Sequence, residues 1–323
     1  MKRREFAATI LAMAAATRVH AQAQGEPFPK NPIKLVVPFP PGGNVDTVSR
    51  LISTRLGAEL GVPIIIENRA GASGIIGSEY VVRGPADGYT IMMAGSNHST
   101  NPSIYKKLPY DTVRDFAPVG LIGAVPMALV VSQQLQARTY PELIKFGKEN
   151  PGALKFGVTT GAANHLATAL LIRQTGLEAI IVPYKGDGPT IIDLLGNQIN
   201  CHIGITSLLK QYIQTKRLPV IAVTSGLRMP LFPDVPTLVE LGLQDYEIGS
   251  WNGVVAPSRT PVASLGVLRN ALHRTLLDPQ VHAALTGLGM QVINGDGPRL
   301  AQFVQSEITR WTAVVTDAQI ERQ

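Results

Sequence analysis

Eight short runs rich in β-branched residues punctuate this chain, at 33–39, 63–67, 90–94, 128–131, 155–158, 179–184, 199–205 and 219–224. Most are continuous apolar stretches rather than strict apolar–polar alternations, the pattern of strands covered on both faces. Amphipathic segments lie between them at 45–60, 75–82, 140–149, 165–175 and 190–195. In the first, Val48, Leu51, Ile52, Leu56 and Leu60 fall at helical spacing. Such a strand–helix–strand grammar commits the chain to the α/β class with a mostly parallel sheet, and eight strands imply two sheets. The segments at 117–132 and 246–257 are strand-like, and neither is a flexible linker. Two such crossings fit a chain that leaves one domain, completes a second and returns. That predicts a discontinuous first domain, 24–127 plus 251–323, and a second at 128–250. The final stretch reads as helices at 265–277, 279–288 and 300–318.

The first 23 residues stand outside this grammar. Lys2, Arg3 and Arg4 form a charged start, and an apolar stretch from Phe6 to Thr17 is too short to span a bilayer. Small residues at Val19, Ala21 and Ala23 suit a signal peptidase, so 1–23 is expected to be a secretory signal peptide. Arg3-Arg4-Glu5-Phe6 also resembles the core of a twin-arginine signal, which leaves both export routes open. Lys2, Arg3, Arg4 and Arg18 against Glu5 account for +3 of the formal +6, leaving +3 on the mature chain. With no Lys/Arg run elsewhere, this excess favours an anionic ligand weakly and gives no reason to expect nucleic acid. No later stretch is long and apolar enough for a membrane helix. The single cysteine, Cys201, forbids an intramolecular disulfide and reads as a small buried hydrophobe.

The most informative segment runs from Val36 to Asp46: a buried strand, a Pro-Pro-Gly-Gly turn at 40–43, then a helix. Gly42 and Gly43 can take positive φ and let a ligand approach the backbone. The helix start adds unpaired N–H groups and partial positive charge, so the turn is an anion site made of backbone. Asp46, in the first helical turn, reads as a carboxylate capping the loop N–H groups or, alternatively, as an acceptor for a ligand donor. Further turns follow strands at Ala94–Pro102, Phe156–His165 and Tyr184–Pro189. Open sheets bind ligands beyond the carboxyl ends of their strands, which makes the set informative where each turn alone is not. Gly71-Ala72-Ser73-Gly74-Ile75-Ile76-Gly77 lacks the dinucleotide spacing and reads as a tight helix entry, with Asn68 hydrogen-bonding its turn.

Catalytic and metal patterns are missing. The histidines of the mature chain, His98, His165, His202, His273 and His282, show no His-x-x-x-His or His-Glu-x-x-His spacing, and no Gly-x-Ser-x-Gly elbow occurs. His98 and His165 could meet across a cleft, in a structural or ligand-facing role, and His202 reads as a satisfied interior histidine. No cofactor, metal or enzymatic activity is expected. A secreted α/β hydrolase is the weaker alternative, because a spatially assembled triad leaves no trace in spacing.

Pro38-Phe39-Pro40-Pro41-Gly42-Gly43-x-x-Asp46, Glu67-Asn68-Arg69-x-Gly71-Ala72, Asp87-Gly88-Tyr89-Thr90 and Leu108-Pro109-Tyr110-Asp111 resemble the Bug family, the TctC-like substrate receptors of tripartite tricarboxylate transporters. Asp115–Val119, Val182–Gly186, Pro233–Thr237 and Trp251-x-Gly253 extend the likeness over nearly all of the mature chain. The resemblance implies a Venus-flytrap fold of the type II periplasmic-binding class, with two α/β domains joined by two crossover strands. It also implies a periplasmic, monomeric receptor that closes on a small carboxylate and serves a large and a small membrane subunit. A receptor signalling to a membrane sensor kinase would use the same clamp. Carried over, the resemblance puts Phe39, Pro40, Gly42, Gly43, Asn44 and Asp46 on one lip of the cleft. Thr159, Thr160, Gly161 and Asn164 fall on the other, with Ser96 and Asn97 toward the hinge and Gly204 at a strand end.

Two departures from the family pattern stand out. The second loop is one residue shorter, with Ala162 and Ala163 at polar positions. The strand that commonly ends Met-Phe-Asp ends here His202-Ile203-Gly204, so Gly204 replaces a carboxylate. Losing that charge is expected to make the cleft less suited to an α-ammonium group and to favour an anionic or neutral, bulkier acid.

Overall fold

The computed structural model describes residues 28–160, 162–244, 246–317 and 322. The expected signal segment 1–23, and Gly161 of the second lip, lie outside the described residues.

The first half opens with β1 (Ile33–Val37), α1 (Asn44–Leu60), β2 (Ile64–Asn68), α2 (Ile75–Arg83), β3 (Thr90–Gly95) and α3 (Ser96–Ile104). β1 pairs parallel with both β2 and β3. Its apolar continuity has a direct cause. Leu35 and Val37 pack in the cluster that includes Val48, Ile52 and Leu56 of α1, while Val36 packs in a different cluster with Met92 and Trp251. Both faces of the strand are therefore apolar. α1 ends where Gly61 turns left-handed, φ 72°, and its N–H returns to the last carbonyls.

The chain then crosses on one long strand, β4 (Phe116–Val131). Beyond it lie α4 (Tyr140–Glu149), β5 (Lys155–Thr159), α5 (Ala163–Thr175), β6 (Ile180–Tyr184), α6 (Asp187–Leu195), β7 (Cys201–Ile205), α7 (Thr206–Gln214) and β8 (Val220–Val223). α4 starts on a complete capping box, Thr139 with Glu142, and Pro141 suits its first turn. The return strand β9 (Gly249–Pro257) precedes α8 (Val262–Leu277), α9 (Pro279–Gly287), β10 (Gln291–Gly295) and α10 (Gly297–Asp317).

The sheet order is β2-β1-β3-β9-β4-β7-β5-β6, with β10 and β8 also paired to β4. The early part of β4 pairs with β9 and β10, and its last residues, from Met127, pair with β7. The expectation of a mostly parallel sheet needs correction. Parallel pairs occupy the two outer wings, whereas every pair involving β4 or β9 is antiparallel. The chain goes out on one crossing strand and back on the other, and an apolar run carries no record of its direction.

Three elements were not read from the sequence. α3 is a helix where a polar loop was expected, although it contains Pro102. Its weak local propensity is overridden by burial: Ser99, Thr100 and Asn101 are almost fully covered, and Ser103 meets Thr312 of α10 at 2.9 Å. α7 and β10 were likewise missed. α10 joins both halves, because Leu300 and Val304 pack with Trp251 while Trp311, Val314 and Val315 pack with Phe156 and Leu166.

β4 and β10 approach closely at Gly123, where a Cβ would stand 2.3 Å from the Gln291 carbonyl oxygen. The obstacle is backbone and cannot rotate away. Gly123→Ala is expected to cost about 3 kcal/mol, read as lowered thermal stability, and an unchanged melting temperature would contradict this packing.

Candidate ligand-binding site

The first lip follows β1. Gly42 takes φ 87°, and its N–H donates to Asp46 Oδ2 at 2.9 Å. Asp46 is almost fully buried and also accepts from Arg50 (2.9 and 3.0 Å) and from Asn68 Nδ2 at 2.8 Å. Asn68, at the end of β2, uses the same amide on the Phe39 carbonyl at 3.0 Å. Burial alone would raise the Asp46 carboxyl, but the hydrogen bonds from Arg50, Gly42 and Asn68 overcome it and hold the group down to about 2. Loop and helix start are thus tied around one carboxylate. The helix itself begins at Gly43, which has no capping side chain, so its first N–H groups are left for an external acceptor. The Asn44 side chain donates to Asn252 Oδ1 at 2.9 Å and to Ser250 Oγ at 3.3 Å, docking this lip on β9.

The second lip follows β5. Thr159 N–H donates to Asn164 Oδ1 at 3.2 Å, and Asn164 Nδ2 donates to Asp187 Oδ1 at 3.0 Å, linking the starts of α5 and α6. The Thr159 hydroxyl is buried without a partner among the described residues. At the floor, Ser96 Oγ accepts from the Trp251 N–H at 3.2 Å.

These pieces surround one cavity of about 340 Å³. Phe39, Pro40, Pro41, Gly43, Asn44 and Val45 wall one side, Ser96 and Asn97 the floor, and Thr159, Ala162, Ala163 and Asn164 the other side. Gly186, Asp187 and Ile205 complete it, with Met127 and Ser250 of the crossing strands. The starts of α1, α3, α5, α6 and α7 all reach its wall, each at the end of a strand. Helix N-termini carry partial positive charge, so five of them define a site for an anion. Among the described residues, no Lys or Arg lines it. A larger groove of about 1350 Å³ runs along α10, and none of these turns lines it.

Several residues expected on the cleft stand elsewhere. Gly42 and Asp46 spend their polar groups on each other inside the loop, which favours the capping reading of Asp46. Thr160 is exposed and off the cavity wall. Gly204 is buried beside His202, whose Nε2 would lie 2.4 Å from a Cβ at that position. Asn68 binds the first lip and not the 71–74 turn. That turn is indeed a tight helix entry, with positive φ at Gly71, Ala72, Ser73 and Gly74.

Nor do the histidines among the described residues form a catalytic set. His98 lies in the core, 4.8 Å from the Phe116 ring, and burial lowers it to about 4. His165 does not line the cavity. Cys201 is buried, which pushes its thiol up. His202 is only half satisfied: Nδ1 meets the Gly157 carbonyl at 2.8 Å, while Nε2 has no hydrogen-bond partner. Among the described residues, no cluster of three potential ligands could hold a metal ion, and no helix is long and apolar enough to cross a membrane.

The residues that sequence reading missed on this wall are Pro41, Val45, Met127, Ala162, Ala163, Gly186, Asp187, Ile205 and Ser250. Gly186 and Asp187 belong to a strand-end turn that was singled out, which is the signal that could have found them.

The family model described as "Tripartite tricarboxylate transporter family receptor" matches residues 48–320. A Pseudomonas protein encoded in the tcbD–tcbE intergenic region is 37% identical, over 98% of this chain and 94% of its own length. Protein BugT of Bordetella pertussis is 32% identical, with 93% of each chain covered. An R. palustris protein solved with adipate superposes with a TM-score of 0.82 at 33% identity, covering 91% of this chain and 99% of that one. The type II periplasmic-binding fold and the sequence together place this chain in the tripartite tricarboxylate transporter receptor family, the Bug or TctC-like solute-binding proteins.

Proposed function

We propose that this protein captures a small organic acid in the cavity between its two halves, in the periplasm, and presents it to the membrane subunits of a transporter. The observation that carries the reading is the convergence of five helix N-termini on one small cavity that, among the described residues, contains no basic side chain. The acid's carboxylate accepts from the first-turn amides of α1 on one side and α5 on the other, with the Thr159 hydroxyl as a further donor. Phe39, Pro40, Gly43, Asn44, Ser96, Asn97 and Asn164 shape the rest of the wall. Residues 24–127 with 251–323 form one jaw and 128–250 the other, and β4 and β9 act as the hinge. One chain supplies both walls, so the monomer suffices, and the protein binds its ligand without chemistry. The adipate in the R. palustris relative supports an acid of this class.

A ligand that favours the closed form stabilises it by mass action, by about 2.7 kcal/mol at a hundredfold excess over Kd. A thermal-shift panel of mono-, di- and aromatic carboxylates is expected to contain at least one acid that raises the melting temperature by several degrees. The same acid should lower the radius of gyration in solution scattering. A panel in which no acid does either would overturn the proposal.

A further inference from the structure

The replacement of a family carboxylate by Gly204 suggested a cavity without an acidic group, and the structure contradicts that premise. Asp187, at the first position of α6, lines the cavity with a fifth of its side chain exposed. Its Oδ1 is held by Asn164 Nδ2 at 3.0 Å and lies 3.7 Å from His202 Nε2. No hydrogen bond among the described residues reaches Oδ2, the oxygen left to face a ligand. Behind it His202 is fully buried. Its Nδ1 must carry hydrogen, because its partner, the Gly157 carbonyl, only accepts. Nε2 is then a buried polar atom with no hydrogen-bond partner, beside a carboxyl. The missing Cβ of Gly204 is what makes room for this ring. The glycine and the histidine belong to one arrangement that sets a carboxyl on the cavity wall from α6 rather than from β7.

We propose that Asp187, positioned by Asn164 and His202, determines specificity by accepting a hydrogen bond from a hydroxyl or ammonium group that the ligand carries in addition to its carboxylate. The inference rests on the reading of the cavity as an acid-binding clamp and names the second feature of the ligand. An isolated carboxylate here would repel an acid. One proton on either member of the Asp187–His202 pair leaves it without net charge, so the ligand carboxylate can sit at the helix starts while Oδ2 remains an acceptor. Burial pushes the Asp187 carboxyl up and the His202 imidazole down, while each draws the other back toward its charged form.

Calorimetry of the purified protein with matched acids tests this: succinate against malate and aspartate, adipate against 2-aminoadipate, and benzoate against 3-hydroxybenzoate. In at least one set the donor-bearing acid is expected to bind about tenfold or more tightly than its parent, the discrimination of one hydrogen bond to a charged group. Asp187→Ala should bring the members of that set within about threefold of one another, whatever it does to the affinity they share. Asp187→Asn should keep the hydroxyl preference and lose the ammonium preference. Equal affinities in the wild type, or a preference that survives Asp187→Ala, overturns the inference and leaves the clamp standing. Failure of every acid to bind the wild type removes the clamp, and this inference with it.

Discussion

Trp251→Ala is expected to cost about 3–5 kcal/mol of stability, a fall of roughly 10 °C in melting temperature. Trp251 sits on the return strand, fully buried. Its ring meets Phe303 of α10 edge-to-face at 5.6 Å, and its indole N–H donates to Ser99 Oγ at 3.2 Å. Ser99 belongs to the helix that puts Ser96 and Asn97 on the cavity floor. Losing the ring opens a void where β9, α3 and α10 meet, so α3 loses the surface that compensates its poor propensity. Acid affinity should fall together with stability, because the floor shifts. Trp251→Phe fills most of the volume but strands the Ser99 acceptor, and about 1–2 kcal/mol is expected. Differential scanning calorimetry checks both variants, and a loss under 1 kcal/mol for Trp251→Ala would refute the packing account.

Asp46→Ala comes second, with an expected cost of about 3 kcal/mol, because it takes one acceptor from the half-buried Asn68 amide and the acceptor of both the Gly42 N–H and the Arg50 guanidinium. The larger consequence is functional. The N-terminus of α1 is held against β2 through this carboxylate, and acid affinity should drop at least tenfold once the loop is released, a loss of about 1.4 kcal/mol. Asp46→Asn separates charge from shape through its pH dependence. The folded value of about 2 lies below the ordinary 3.8, so the charge contributes stability that is fully present above the ordinary value. The contribution, about 2 kcal/mol, is lost as pH falls through about 2. Urea denaturation should therefore show a constant gap between wild type and Asp46→Asn from pH 7 to 5, closing at lower pH. A gap that widens on acidification would mean that Asp46 is not held in its charged form.

Much of the candidate site was legible in the chain because its parts are local. The turn at 40–43 between β1 and α1, and the one at 159–162 between β5 and α5, each join a strand end to a helix start within a few residues. That adjacency is what exposes backbone amides. Side-chain roles were less legible. Asp46 had two readings, cap or ligand acceptor, and only the fold showed it bonded to the Gly42 N–H as a cap, while Asn68 reached a loop 29 residues away rather than its own turn. Gly204 read as a lost carboxylate, while its partner His202 and the substitute Asp187 became neighbours only when β7 and α6 packed together.

The sequence by itself determined the α/β class, the strand and helix periods, the two crossing segments and the strand-end turns, since each depends on interactions between residues close along the chain. Tertiary structure alone decided strand direction, the helical state of the polar segment at 96–104, and which oxygen and nitrogen atoms face the cavity. Those outcomes depend on burial against elements more than a hundred residues away, such as Ser103 against Thr312 and Trp251 against Ser99. Desolvation by a distant partner leaves no periodicity in the chain that undergoes it.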